Sequence, residues 1–137
     1  MHSGFAAAAG VLTMAVLAGC STPKMPNPPA AEVTINGSNA LQTQAIHCRQ
    51  LQWTWMIDIG DPSSGANVNV DTSGQTPSAT SVNIHNVGGF SGIYSHGNGD
   101  ADTRVSGQTF TVSGTANGIH TDTDQPATAH YTIVARC

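Results

Sequence analysis

Charged side chains are scarce in this chain, and positively charged ones are the scarcest. Only 4 of the 137 residues are Lys or Arg and 8 are Asp or Glu, so the formal net charge is -4. The arginines Arg49, Arg104 and Arg136 are scattered along the sequence. Nucleic-acid binding requires clustered Lys and Arg, which displace counterions from phosphates. We therefore expect no nucleic-acid partner, and the same scarcity argues against a phosphate-binding enzyme.

The sequence also lacks the common catalytic and cofactor motifs. It contains no G-x-S-x-G, H-E-x-x-H, G-x-G-x-x-G or P-loop, and Glu32 is its only glutamate. The sequence therefore offers few carboxylates for a catalytic acid–base pair. We predict a protein without enzymatic activity, catalytic residues or a cofactor; a Ser-His-Asp triad assembled only by the fold is the alternative that the sequence leaves open.

Two acidic segments invite a metal-binding interpretation, and neither fits it well. Asn98, Asp100 and Asp102 alternate like the first ligands of a calcium loop, but Thr103 and Thr109 stand where that loop requires Gly and Glu. The segment "HTDTDQP", which begins at residue 120, is typical of a polar turn before a proline. We predict no metal site.

The chain has only one long apolar run, at its beginning. Residues 5–18 are apolar except for Gly10 and Thr13, and this run is too short for a membrane-spanning helix, which needs about 20 residues, but suits a secretory signal of about 7 to 15. Residues 17–20, "LAGC", resemble the bacterial lipobox. We predict a lipoprotein signal peptide over residues 1–19, with cleavage before Cys20 and acylation of Cys20; an ordinary cleavable signal is the alternative. Because "MHSG" contains no Lys or Arg, we also expect a start codon further upstream.

Acylation would attach Cys20 to membrane lipid through a diacylglyceryl group and an N-acyl chain such as palmitate. Each buried methylene contributes about 0.8 kcal/mol, which suffices for stable anchoring. Residues 20–31 are then the lipidated cysteine and a tether with four prolines in the 11 residues from Ser21 to Ala31. Such a tether is an extended spacer of about 3 Å per residue. We expect an anchor on the extracytoplasmic face of the cell membrane.

Strand patterns dominate the remaining residues, 32–137, which we predict to form one β-domain. In "LQWTWMIDI", residues 51–59, the side chains of Leu51, Trp53, Trp55, Ile57 and Ile59 share one face and are expected to be buried. The weaker strands are predicted at 32–37, 65–71, 79–87, 89–97, 108–114 and 129–137. About seven to eight short strands between polar turns favour an antiparallel β-sandwich or an open barrel.

Trp53 and Trp55 have two interpretations. As core residues they would bury a large apolar area, and as the lining of a ligand pocket they would bind a lipid or another apolar molecule. The core interpretation is favoured.

The three cysteines suggest one disulfide. With Cys20 acylated, Cys48 and Cys137 remain, and each lies on the apolar parity of its strand. In an exported domain a disulfide between them is the simplest assignment. It would close a loop of roughly 90 residues and stabilise the fold by about 4 to 5 kcal/mol in the chain-entropy model. Two free buried thiols are the alternative.

Several short segments occur in a characteristic order: "VTING", "HC", "MIDIG", "SATSVNI", "GIYSHGNGDA", "FTVSGTANG" and a final strand that ends in Cys137. In these segments the chain resembles the mycobacterial nineteen-kilodalton lipoprotein antigen family. The resemblance implies a cell-envelope lipoprotein antigen acylated at Cys20, with a disulfide between Cys48 and Cys137. It further implies that the acylated N-terminus is an agonist of host Toll-like receptor 2, and that transport of an apolar ligand is an alternative role for the β-domain. The Pro-rich tether departs from the Ser/Thr-rich tether of the family.

Overall fold

The computed structural model describes residues 28–137, which form a chain of short β-strands. The predicted signal peptide, Cys20 and most of the predicted tether lie outside the described residues. Across the described range there is no helix with the length and apolar character needed to cross a membrane. The strands are β1 Ala31–Ile35, β2 Ser38–Thr43, β3 Ile46–Leu51, β4 Thr54–Asp61, β5 Ser64–Asp71, β6 Ser78–Val87, β7 Phe90–Ser95, β8 Asp100–Ser106, β9 Thr109–His120 and β10 Pro126–Arg136.

The strands form one antiparallel sheet in the order β2-β1-β10-β9-β7-β6-β5-β4-β3. The long strand β9 pairs with β10 along one edge, whereas its other edge is divided between β8, opposite Thr109–Thr115, and β7, opposite Asn117–His120. The sheet therefore curls around a single core into a nearly closed, barrel-like shape. The predicted all-β antiparallel class is confirmed, with ten strands rather than seven or eight.

The core follows from the alternation of apolar and polar residues along the strands. On β5, Ala66, Val68 and Val70 are buried, while Asn67 and Asn69 between them face outward. The same alternation on β6 buries Val82 and Ile84. Among the described residues no polar or charged side chain is fully buried, so the inside of the sheet is apolar and its polar chemistry lies on the outer surface.

The prediction of one continuous strand over residues 51–59 is wrong. The chain reverses at Gln52, which has a positive φ of 54°, and Leu51 pairs with Thr54 across a two-residue turn. Leu51 and Trp53 consequently leave the inner face and are 66 and 64 % exposed. Ile57 and Ile59 are buried on β4 as predicted. The alternation of apolar residues continued through a turn that contains neither Gly nor Pro, and this misled the interpretation.

Candidate functional site

The N-terminal end of the β-domain is the first candidate site, because the chain leaves there toward Cys20. Just before β1, the carbonyl of Pro29 accepts a hydrogen bond of 2.6 Å from the Arg136 guanidinium, and the carbonyl of Ala30 accepts one of 2.8 Å from the Arg136 backbone N–H. The side-chain amide of Gln44 donates to the carbonyl of Pro28 at 2.9 Å. Residues 28–30 are therefore held against the domain, and β1 begins at Ala31, the last residue of the predicted tether.

The disulfide lies at the same end of the domain. Cys48 on β3 and Cys137, the residue after β10, are bonded, with their Cα atoms 5.9 Å apart and a sequence separation of 89. Both residues are partly buried against the apolar core. The backbone N–H of Cys137 donates to the carbonyl of Gln108 at 2.9 Å, which holds the chain end in place. The disulfide predicted from the residues and from the family resemblance is present in the structure.

The two tryptophans have different surroundings. Trp55, on β4, packs against the core, with its ring centroid 5.2 Å from that of Phe110 and the planes inclined by 54°. Trp53 lies in the β3–β4 turn and is mostly exposed. The core interpretation therefore holds for Trp55 and is wrong for Trp53. The structure does not bring the two rings together on one face.

A polar surface site, which the sequence patterns did not indicate, surrounds Asn67 in the described part of the chain. Two adjoining depressions of about 230 and about 290 Å³ lie on the outer face of the sheet, and both include Asn67. The Asn67 amide donates to the Asp58 carboxylate at 2.5 Å, and the Asn69 amide donates to the Ser81 hydroxyl at 2.9 Å. Neither tryptophan lines these depressions. The alternating asparagines of "GANVNVD" are the only trace of this site in the sequence. They do not distinguish it, because solvent-facing positions of a strand are commonly polar.

The acidic segment that contains Asp100 and Asp102 serves local structure in the described chain. The carbonyl of Asp100 accepts a 2.9 Å hydrogen bond from the Tyr131 hydroxyl, and the Asp102 carboxylate lies 3.8 Å from Arg104 in an exposed ion pair. Residues 28–137 contain no group of three or more His, Cys, Asp or Glu side chains placed to hold a metal ion.

Carboxylates also organise turns. The Asp61 carboxylate accepts hydrogen bonds from the Ser63 hydroxyl and from the backbone N–H groups of Ser63 and Ser64. These hydrogen bonds hold the pKa of Asp61 below its ordinary value. Their effect is to close the β4–β5 turn, which is a structural role.

These observations define a class of protein: an all-β domain closed by one disulfide, whose N-terminal end leads into a Pro-rich segment. The family model described as Mycobacterium 19 kDa lipoprotein antigen matches residues 25–137. The chain belongs to this family, as its sequence motifs predicted. It is 47 % identical to a protein of Mycobacterium indicus pranii named "Putative lipoprotein", over the whole of both chains. It is 41 % identical to a protein of the same name from Mycobacterium avium subsp. hominissuis, over 78 % of this chain and 75 % of the relative.

Proposed function

We propose that this protein is a cell-envelope lipoprotein held on the extracytoplasmic face of the cell membrane by acyl groups on Cys20. The observation that carries the proposal is the position of "LAGC" relative to the β-domain. Only seven residues separate Cys20 from Pro28, where the described structure begins at the end of the domain that Arg136 and Gln44 tie down. Membership of a lipoprotein family supports the same arrangement.

We further propose that the acylated N-terminus is the part of the molecule sensed by the host, as an agonist of Toll-like receptor 2. The β-domain is non-enzymatic in this proposal and requires no cofactor. Its described core is apolar, and the surface asparagines Asn67 and Asn69 are hydrogen-bonded within the sheet, to Asp58 and Ser81.

Intact mass of the detergent-extracted protein tests the anchor. The expected mass begins at Cys20 with diacylglyceryl and N-acyl additions and gains two hydrogens on reduction of the disulfide. A Cys20→Ala variant, expressed in the same host, should carry no acyl mass. An unmodified wild-type mass would refute the anchor and with it the receptor proposal.

A receptor reporter assay tests the second proposal separately. Cells that express Toll-like receptor 2 should respond to the purified acylated protein and not to Cys20→Ala at equal concentration. Equal responses to both proteins would show that acylation is irrelevant, and silence toward the acylated protein would refute agonism while leaving the anchor intact.

Binding of an apolar ligand by the β-domain has less support. Trp55 fills space against Phe110 inside the sheet, and the two depressions formed by described residues lie on its polar outer face. An apolar carrier needs an enclosed apolar cavity, which these two surface depressions do not provide. Native mass spectrometry of the protein extracted from its host tests this alternative, because a carrier would retain a bound lipid in addition to the covalent acyl chains.

A further inference from the structure

The β3–β4 turn exposes the two most exposed large apolar side chains of the described residues. Leu51 is 66 % and Trp53 64 % exposed, and the next is Ile93 at 44 %. Both belong to one short hairpin end, so they form a single apolar projection, which we call the Leu51/Trp53 tip. Exposed tryptophan is costly in water, and in proteins it commonly marks a contact with a partner or a membrane interface.

The Leu51/Trp53 tip lies at the end of the domain from which the chain leads to Cys20. Neighbouring strands are antiparallel throughout the sheet, and β1 and β3 are seven places apart in its order. These two strands therefore run in opposite directions, so the start of β1 and the end of β3 lie at the same end of the domain. The disulfide joins this region directly: Cys48 precedes Leu51 by three residues, and its partner Cys137 follows Arg136, which pairs with Ala30. Three residues of strand span about 10 Å. The eight-residue step from Cys20 to Pro28 spans at most about 25 to 30 Å when extended.

The turn presents its side chains from a backbone that is held in place. The carbonyl of Trp53 accepts hydrogen bonds from the backbone N–H of Thr72 at 2.7 Å and from its hydroxyl at 2.8 Å. The turn is thus attached to the β5–β6 loop, and the Trp53 ring does not stack on another aromatic ring among the described residues. An aromatic side chain with few rotatable bonds on a fixed turn loses little entropy on binding.

The charges around the turn suit a membrane surface. Residues 50–54, "QLQWT", carry no charge. Arg49 is exposed and has no carboxylate partner in the described part of the chain. By register the acid nearest the turn is Asp71, opposite Thr54, and its carboxylate accepts the backbone N–H of Ser73 at 2.8 Å. Asp58, two residues along β4 from the partner of Arg49, accepts from the Asn67 amide. The hairpin thus carries an exposed tryptophan and an arginine whose guanidinium has the Met56 sulfur, 3.9 Å away, as its hydrogen-bond acceptor. Tryptophan and arginine together are the combination found at the level of lipid headgroups.

We propose that the Leu51/Trp53 tip inserts into the headgroup region of the membrane that holds the acyl chains of Cys20. The inference rests on the proposed anchor. The acyl chains bring the domain to the surface, and the tip is a second, shallow contact that sets its orientation, with the β3–β4 turn toward the lipid and the β4–β5 turn away from it. A tether this short keeps the tip within reach of the bilayer.

Tryptophan fluorescence of the full-length acylated protein in phosphatidylcholine vesicles tests the proposal, because the chain contains only two tryptophans. The wild type and Trp53→Phe are compared in vesicles whose lipids carry bromine either near the headgroup or near the end of the acyl chain. The emission lost in Trp53→Phe belongs to the exposed ring, and Trp55 is the internal control. Bromine near the headgroup should quench about half or more of the Trp53 emission, whereas Trp55 should be little affected.

The outcomes separate the inference from the anchor on which it rests. If the protein floats with the vesicles but Trp53 remains unquenched and open to acrylamide, the tip does not touch lipid and the inference is overturned while the anchor stands. If the protein does not float with the vesicles, the anchor and the inference both fail. Protection of Trp53 that rises with protein density at constant lipid, without quenching by bromine, would assign the tip to a contact between proteins and would overturn the inference as well.

Discussion

Tyr131 shows how one polar atom is accommodated in an otherwise apolar interior. The residue is only 2 % exposed, and its hydroxyl donates to the carbonyl of Asp100 at 2.9 Å. That hydrogen bond ties the start of β8 to β10, two strands that both flank β9. Burial, reinforced by the nearby Tyr94 and Asp100, raises the pKa of Tyr131 well above its ordinary value.

This raised pKa predicts a loss of stability in alkaline solution. The unfolded chain ionises its tyrosines above about pH 10, whereas the folded protein keeps Tyr131 protonated, so the unfolded state binds fewer protons there. The contribution of Tyr131 is therefore fully present below pH 10 and decreases as the pH rises toward its folded pKa. Urea unfolding of the wild type between pH 8 and 11 should show a falling free energy of unfolding above about pH 10.

Tyr131→Phe isolates the hydroxyl. The variant leaves the Asp100 carbonyl without its donor and should be less stable by about 1 to 2 kcal/mol at neutral pH. Its stability should also fall less steeply above pH 10, because the buried ionisable group is gone. Tyr94→Phe is the matched control, since Tyr94 is only half-buried and should leave most of the alkaline slope. Identical slopes for the wild type and Tyr131→Phe would contradict the assignment.

At the scale of elements, the β4–β5 hairpin depends on two opposed glycines. Gly60 pairs with Gly65, and its φ is +80°. A Cβ at Gly60 would lie within 2.3 Å of the Ser64 carbonyl oxygen, a distance at which the backbone must shift. Gly37, between β1 and β2, has nearly the same φ of +82° but nothing within 4 Å of an added Cβ.

The two glycines therefore separate conformational strain from steric clash. Gly37→Ala should cost about 1 to 2 kcal/mol through its positive φ alone. Gly60→Ala should cost a further 1 to 3 kcal/mol or so, because the clash adds to the same strain. Parallel urea titrations of the two variants measure the difference. Equal losses of stability would show that the hairpin yields to the added methyl group at no cost.

The elements also show which parts of the fold the sequence could predict. The predicted bounds of β5 and β6 agree with the structure to within one residue, because their Val, Ile and Ala residues alternate with polar residues along both strands. Strands β2 and β8 are absent from the predicted set, and the strand predicted over residues 51–59 includes only Leu51 of β3. All three lie at edges of the sheet and bury little, as the exposed residues Ser38, Asn39 and Asp100 illustrate. An edge strand pairs on one side only, so its apolar pattern is weak.

The candidate sites were predicted to different extents for a related reason. The Cys48–Cys137 pairing was predictable from parity, because Cys48 alternates with Ile46 on β3 and Cys137 continues the alternation of β10. The exposure of Trp53 was not, since it depends on a chain reversal at Gln52 that no turn residue announces. The two depressions that share Asn67 depend on the register among several strands, which the sequence of a single strand does not contain.

At the scale of the whole molecule, the disulfide joins distant parts of the curled sheet. β3 lies at one end of the strand order, whereas β10 lies near the other, between β1 and β9. No backbone ladder connects β3 to β10, so the Cys48–Cys137 bond is the covalent link between them. It also joins the strand that leads into the β3–β4 turn to the chain end beside Ala30. The bond that stabilises the domain therefore also holds the proposed membrane contact at the same end as the tether.

Removal of this disulfide should therefore destabilise the whole domain. The loop it closes has about 90 residues, for which the chain-entropy model gives a contribution of about 4 to 5 kcal/mol, and native disulfides in small domains contribute about 2 to 5 kcal/mol. Urea unfolding of Cys48→Ala/Cys137→Ala, monitored by Trp55 emission in the Trp53→Phe background, should show a lower midpoint than the disulfide-bonded parent. Reduction of the parent should lower its midpoint to that of the double variant and leave the double variant unchanged. If the reduced parent kept its original midpoint, strand pairing and the apolar core alone would hold the sheet closed, and the disulfide would contribute no stability.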